Sequence, residues 1–564
     1  MKKAKKILAL LLVCVLAAAL AACGGGNGGS SPSASTSASP GASESSGGGT
    51  SPSGGTSPDS SAPAGGGSGE RDTVTIQLAS DLGTLSPIGI TGGSFMVVAN
   101  CIYEPLWDIF QVEGATMNDT KGIRWILATG VEEVTPTQWT VHLREGVKFS
   151  NGNPFTASDV IFSVKAHEEG GMLANVRKGE VDWEASSVID DYTLDLRFKS
   201  YHFASYNILC DMAIYDEESY DATALSAHPI GTGPYQLKEY VVNSYCFLER
   251  RDDYWGDPPT YKNLNFRVIA EPSQIINALE TGMVDIATLP MADVAYVKTL
   301  SDYNVVTRFW ANWLAVNFNV TTNSIMQNIE ARYAFCHALD SNAIADLVYY
   351  GLAERMLYPN TKIALNHVPE FDNLHTTYSI GYDEALAKEY ADKSGLTGQT
   401  ITVMTSGSAE HVMAAEIMQN LLQKIGVTVV INNYDASGFN AALTEATAYD
   451  VAIVAGFQPG LDCAGGVVNG VRYSANNQVA EWPGRDRFLE IMTETMFNPD
   501  PQARYDALYE ILQIYTNACL QFGICEYYGA TAYAADLDQN SIAYRVMTAV
   551  RYTYSFKGPI VALT

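Results

Sequence analysis

The chain is poor in basic residues. Its 564 residues carry 34 Lys and Arg against 62 Asp and Glu, a formal charge of −28. A surface so acidic repels phosphates and excludes a nucleic-acid partner. Histidine is also scarce, at eight residues, and no two of them stand at metal-ligand spacing on one helix. The folded part has no His-Glu-x-x-His, no Walker loop and no Gly-x-Ser-x-Gly. These absences point away from an enzyme, a resident metal and a cofactor. No internal repeat is visible.

Cysteine says little about chemistry. Setting Cys14 and Cys23 aside, cysteines stand scattered at 101, 210, 246, 336, 463, 519 and 525. An odd count leaves at least one unpaired, and buried free thiols are the reading taken. A Cys519–Cys525 bridge is set aside because a helix is expected between them.

What is present begins with an export signal over residues 1–23. Lys2, Lys3, Lys5 and Lys6 precede an apolar run from Ile7 to Ala22, too short for a membrane span. Leu20-Ala21-Ala22-Cys23 resembles the lipobox of bacterial lipoproteins, which implies that Cys23 becomes the lipidated N-terminus. Residues 24–70 are almost wholly Gly, Ser, Pro, Ala and Thr. Such a segment cannot bury enough apolar surface to offset its ordering entropy, so it reads as a flexible tether. The remainder is too long for one core and implies more than one domain.

The most informative stretch runs from His142 to Val164. Trp139, Val141 and Leu143 alternate with polar residues as a half-buried strand does. Arg144-Glu145-Gly146 turns the chain, Val147 to Phe149 extend it, and Ser150-Asn151-Gly152 turns it again. Thr156 then caps a helix, with Asp159 three residues on. At fixed spacing the residues Trp139, Leu143, Arg144, Gly146, Val147, Phe149, Gly152, Pro154, Thr156, Ala157, Asp159 and Val160 resemble the signature of the family 5 extracellular solute-binding proteins, which serve peptide, nickel and related ABC importers.

Further stretches resemble that family: Tyr103-Glu104-Pro105-Leu106; Gly231-Thr-Gly-Pro-Tyr235, a fixed turn entering a strand; Tyr254-Trp255; and Ala278-Leu-Glu-Thr-Gly282 running into Asp285-Ile286. Asp190 to Phe198 alternates as a strand. Thr400–Met404, Ala409–Lys424 and Gly426–Ile431 read as a β-α-β unit with a parallel pair. Tyr449–Phe457 is a buried strand, and Arg504–Cys519 a helix. His337 sits alone on a helix and reads as structural.

The resemblance implies an α/β, two-lobed periplasmic-binding-protein-like fold of type II, with an accessory domain and a hinge near residues 305–316. Lobe 1 would comprise 71–106, 229–305 and 535–564, its accessory domain 107–228, and lobe 2 residues 306–534. It implies an ABC-importer binding lipoprotein on the extracytoplasmic face of the cell membrane. Such a protein is a monomer that captures a peptide or similar small organic solute for a permease and ATPase complex. A non-peptide solute (an oligosaccharide or metal chelate) and a signalling or scaffold lipoprotein stay open as alternatives.

Site residues are carried over by position. Thr91, Gly92 and Gly93 fall in the loop that lies beside the ligand in the family's peptide binders. Trp310 and Trp313 fall at the lobe crossing. Their odd separation puts them on opposite faces of a strand, and one of them is expected to line the cleft. The family's Gly-Trp-x-x-Asp segment, whose Asp takes the peptide ammonium, corresponds to Gly456, Phe457, Gln458, Pro459, Gly460 and Leu461, with Asp462 two residues late.

Overall fold

The structure, a computed structural model, describes residues 71–86, 93–109, 123–170, 181–201, 205–210, 212–356, 369–457, 480–537, 543–546 and 552–555. The export signal, Cys23 and the tether lie outside the described residues.

The folded chain opens with β1 (Thr73–Leu78), whose Val74, Ile76 and Leu78 are buried. Helix α1 (Gly93–Ile102) covers it, with Phe95, Val98 and Ile102 in the same core. Strand β1 lies parallel to both β10 (Asn263–Val268) and β11 (Ile286–Thr288). Strands β8 (Tyr235–Val241) and β9 (Tyr245–Arg250) extend the sheet antiparallel beyond β10. Between β10 and β11, helix α2 (Pro272–Glu280) begins on a proline at its first turn and ends before Gly282, at φ +66°.

The signature stretch builds a second core. After the short antiparallel pair β2 (Trp107–Ile109) and β3 (Ile123–Trp125), strands β4 (Ala128–Thr135), β5 (Gln138–Leu143), β6 (Ser187–Asp190) and β7 (Thr193–Arg197) form an antiparallel sheet in the order β4-β5-β7-β6. Trp139, Val141 and Leu143 of β5 are buried as their alternation requires. Gly146 and Gly152 take φ of +75° and +94°, so both expected turns need glycine. Helix α3 (Ala157–Gly170) follows Thr156, whose N–H and hydroxyl donate to Asp159 at 2.7 and 3.0 Å. The strand expected over 190–198 is present as β7, Leu194 and Leu196 buried, and β6 precedes it. A turn at Asp191-Tyr192 separates β6 from β7, because Asp190 accepts the Tyr192 N–H in a local side-chain turn.

Gly231-Thr-Gly-Pro-Tyr235 is better explained by close approach than by turn geometry. A Cβ on Gly231 would fall 2.2 Å from the Ile102 carbonyl oxygen, and one on Gly233 2.6 Å from the Cys101 and Ile102 oxygens. The glycines let this segment meet the end of α1, where Gly233 N–H donates to Ile102 at 2.8 Å. Arg251, 3% exposed, holds the assembly together. Its guanidinium donates to the carbonyls of Gly231, Gly233, Lys148 and Phe149, each at 3.2 Å, and to Asp253 at 3.0 Å.

Two long strands carry the chain across the large sheet. Strand β12 (Tyr303–Phe318) and β17 (Gln521–Ala534) are antiparallel partners along most of their length. Thr531 to Tyr533 of β17 pair with β11, and the far half of β12 pairs with β16 (Val451–Phe457). The ladder breaks between Phe309 and Asn312, where Trp310 and Ala311 have no partner on β17. Beyond the break lies the largest core. Helix α4 (Ile329–Ala338) and α5 (Ser341–Tyr349) lead to the short β13 (Ala353–Arg355), an additional partner of β17. Helix α6 (Glu384–Ser394) is capped by Asp383 and ended by Gly395 at φ +76°. The expected β-α-β unit is present as β14 (Thr400–Thr405), α7 (Ala409–Lys424) and β15 (Thr428–Asn433), its strands parallel. Helices α8 (Arg485–Phe497) and α9 (Pro501–Asn517) close the core. His337 packs here, its ring bonded to the Gly381 carbonyl and stacked on Tyr390.

One expectation fails at the end of α9. The helix stops at Asn517, and Gln521 already begins β17, so no helix lies between Cys519 and Cys525. Cys519 itself takes φ +49°, a conformation that ends a helix.

Candidate functional site

Where β12 leaves its break, Trp313 stands opposite Gly456 on β16 and Glu526 on β17. Directly opposed residues share a face of the sheet. The indole lies across Gly456: a Cβ there would fall 1.9 Å from Cζ2 and 2.2 Å from Cε2 of Trp313. Only glycine lets the ring cross the strand. Ala315, Met356, Met404, Phe439 and Val454 complete an apolar cluster around it. The tryptophan is 9% exposed, and its Nε1 donor is buried with no partner. An unsatisfied N–H in such a place favours an acceptor brought from outside.

The neighbouring pair is Asn312 with Phe457, the last residue of β16, and Asn312 faces Tyr527 on its other side. Tyr527 stacks on Tyr349, with ring centroids 4.3 Å apart and planes 9° from parallel. Burial raises both phenols, so they stay neutral hydrogen-bonding groups. Glu526, 2% exposed, brings a carboxylate onto the Trp313 face. Sequence reasoning passed over Glu526 and Tyr527. The signal available was an acid flanked by Cys525 and two tyrosines in an otherwise apolar run.

The other expected residues are placed unevenly. Gly93 opens α1. Thr91, Gly92, Gln458 and Asp462 lie outside the described residues. The backbones of Trp310 and Phe457 are described within β12 and β16. The ladder break between Phe309 and Asn312 falls between Trp310 and Trp313 and interrupts regular alternation there, and the Trp310 side chain lies outside the described residues. The structure therefore joins Trp313, Gly456 and the Phe457 backbone at the end of β16, inside the large sheet.

A separate depression of about 580 Å³ contains none of these residues. Glu104, Arg124, Arg144, Tyr254 and Trp255 line it. Glu104 accepts from Tyr254 Oη and Trp255 Nε1, each at 2.9 Å, and Arg144 stacks 4.6 Å from the Trp255 ring. These family-like residues thus brace one another. Among the described residues, no group of three His, Cys, Asp or Glu side chains is placed to hold a metal ion.

The large mixed sheet and the paired crossing strands define an α/β fold of several cores strung along long strands. Comparison with known proteins agrees. The profile of bacterial extracellular solute-binding proteins, family 5 Middle, matches residues 123–476, and the chain belongs to that family. The nickel-binding periplasmic protein of Escherichia coli (strain K12) is 26% identical over 404 residues, 66% of this chain and 72% of that one. The fold is shared with the ABC transporter substrate-binding protein CtaP of Listeria monocytogenes, at TM-score 0.74 and 20% identity, covering 85% of this chain and 97% of that one. It is also shared with a dipeptide-binding protein of Pseudoalteromonas sp. SM9913 in complex with Met-Leu. There the TM-score is 0.69 and the identity 20%, over 86% of this chain and 99% of that one.

Proposed function

We propose that this chain is the extracytoplasmic solute-capturing component of an ABC importer, taking up a peptide or similar small organic solute between its lobes for a membrane permease and ATPase complex. The observation that carries this reading is the Trp313–Gly456 platform, with its buried, unsatisfied indole N–H, at the end of β16. A strand end with an unmet donor suits a ligand that brings carbonyl acceptors. Phe457 and Gln458 would border the ligand backbone, Asp462 would take a peptide's α-ammonium, and Thr91, Gly92, Gly93 and Trp310 would close the site from the other side. Lobe 1 would comprise 71–106, 229–305 and 535–564, carrying the accessory domain 107–228, and lobe 2 would span 306–534. The protein would act as a monomer held to the cell membrane by a lipid on Cys23.

The test is a calorimetric titration with short peptides, free and N-acetylated. Asp462→Asn is expected to weaken an unblocked peptide by about 2–5 kcal/mol, roughly thirty- to several-thousand-fold, because the ammonium loses its buried partner. N-acetylation should cost a similar amount, and the two losses should not add. An unchanged affinity removes Asp462 from the site. Binding only of a metal chelate or sugar, with no peptide bound at all, overturns the peptide reading. For the anchor, Cys23→Ala should release the protein from the membrane fraction, since the diacylglycerol supplies most of the anchoring free energy.

A further inference from the structure

Cys336 and Cys519 meet in the largest core, beyond the break in β12. Their Sγ atoms are 3.4 Å apart across 183 residues of chain, and both side chains are buried. We propose that Cys336 and Cys519 are a site of oxidation, and that the exported protein carries a disulfide joining α4 to the bend between α9 and β17.

Three features support the bond. The first is distance: a contact of this length becomes a disulfide with little more than an ångström of closure. The second is the device that aims the sulfurs. Arg332 lies one turn before Cys336 on the same face of α4. Its guanidinium donates to Ala518 O at 2.8 Å, and to Met326 O and Gln327 O at 2.5 and 3.0 Å. It therefore grips the residue directly before Cys519, and it is itself wholly buried. The titratable groups that act on it among the described residues are Cys519, Cys336 and Tyr333, with no carboxylate. A thiolate at either sulfur would be its counter-charge, and the thiolate is the species that attacks a disulfide. The third is location, since an extracellular family works where disulfides persist.

The chemistry balances through a disulfide-bearing oxidant of the extracytoplasmic space. One cysteine thiolate attacks an oxidant sulfur and forms a mixed disulfide. The second thiolate then displaces the oxidant. Two S–H bonds become one S–S bond, two protons go to solvent, and two electrons leave with the oxidant as its dithiol. In the closed core, burial and the neighbouring Cys519 push the Cys336 thiol up, against the pull of Arg332. The bond therefore forms while this core is still folding, before its helices seal the pair.

The experiment is peptide mapping of the protein exported through its own signal and purified without reductant. The denatured protein is alkylated, digested and weighed. The expected result is one linked pair containing Cys336 and Cys519, lighter than the two thiol peptides by two hydrogens. Reduction before alkylation should release both. Recovery of both cysteines alkylated without reductant overturns the proposal, as does finding either one bridged to another cysteine. As a second arm, reductant should lower the melting temperature of the wild type by several degrees and leave that of Cys336→Ala/Cys519→Ala unmoved. Equal shifts in both would also overturn it.

Discussion

Trp313 and Gly456 occupy one another's space: the indole fills the position that any side chain at 456 would need, with Cζ2 only 1.9 Å from where a Cβ would stand. The aromatic floor of the proposed site thus depends on the absence of a methyl group on the neighbouring strand. Gly456→Ala should expel the ring from its pocket among Met356, Met404 and Phe439. Overpacking of this kind costs about 1–3 kcal/mol. Urea denaturation should show the loss, with a red-shifted tryptophan emission and weaker solute binding. A variant with wild-type stability and emission would mean that the ring is free to move.

A different crowding governs the end of α1. Gly231→Ala sets a methyl 2.2 Å from the Ile102 carbonyl oxygen, and backbone cannot rotate away as a side chain can. We expect a loss of at least about 2 kcal/mol, read from the urea midpoint, with the contact between α1 and β8 opened. Gly282→Ala is the useful contrast. A Cβ there meets nothing within 4 Å, and the cost is only that of φ +66° for a non-glycine residue, about 1 kcal/mol.

Arg251 gathers four carbonyls and one carboxylate onto a single guanidinium. Lysine carries the charge without the planar fork and cannot reach all of them. Arg251→Lys should therefore destabilise by about 3–5 kcal/mol, as hydrogen bonds to a charged donor are each worth about 1.5–3 kcal/mol and here share one cation. Differential scanning calorimetry would detect it. Retention of the wild-type melting temperature would show that water replaces the lost donors.

Acid sensitivity should centre on His375. It is 3% exposed, its two ring nitrogens have no partner, and it packs edge-on to Phe522. Burial pushes its pKa down to about 4, with the positive charge of Arg355 acting the same way. The folded protein keeps the ring neutral while the unfolded chain takes a proton near pH 6.5. Stability is therefore fully present above about pH 6.5 and is lost as pH falls towards 4, by about 3 kcal/mol in all. His375→Phe keeps the aromatic contact and removes both the proton site and the unsatisfied nitrogens. Its melting temperature should fall less between pH 7 and pH 4. An unchanged pH slope would assign the acid sensitivity elsewhere, with the downshifted His337 and His411 next in line.

Local chemistry made much of this fold legible. Alternation placed β5, a buried apolar run placed β16, and the β-α-β unit at Thr400–Asn433 followed from period and length alone. Failures came where distant parts of the chain meet. Gly231 and Gly233 carry the composition of a turn, but the constraint on them is a helix end some 130 residues earlier. The break at Trp310-Ala311 leaves no mark in the spacing of the two tryptophans, since alternation assumes an unbroken ladder. Trp313 was identifiable as a candidate, whereas its partnership with Gly456 was not. Nothing in one strand states which residue stands opposite it.

The paired crossing strands have a consequence for how this chain can be rebuilt. Phe309 pairs with Tyr528 on one side of the break, and Asn312 pairs with Tyr527 on the other. Everything from Asn312 to Tyr527 therefore joins the rest of the ladder through two adjacent points, while its own strands continue the same sheet. A two-residue Asn-Gly turn joining Phe309 to Tyr528 would close the ladder as an ordinary hairpin. The stretch from Asn312 to Tyr527 would then be a cassette exchangeable between relatives at a single seam.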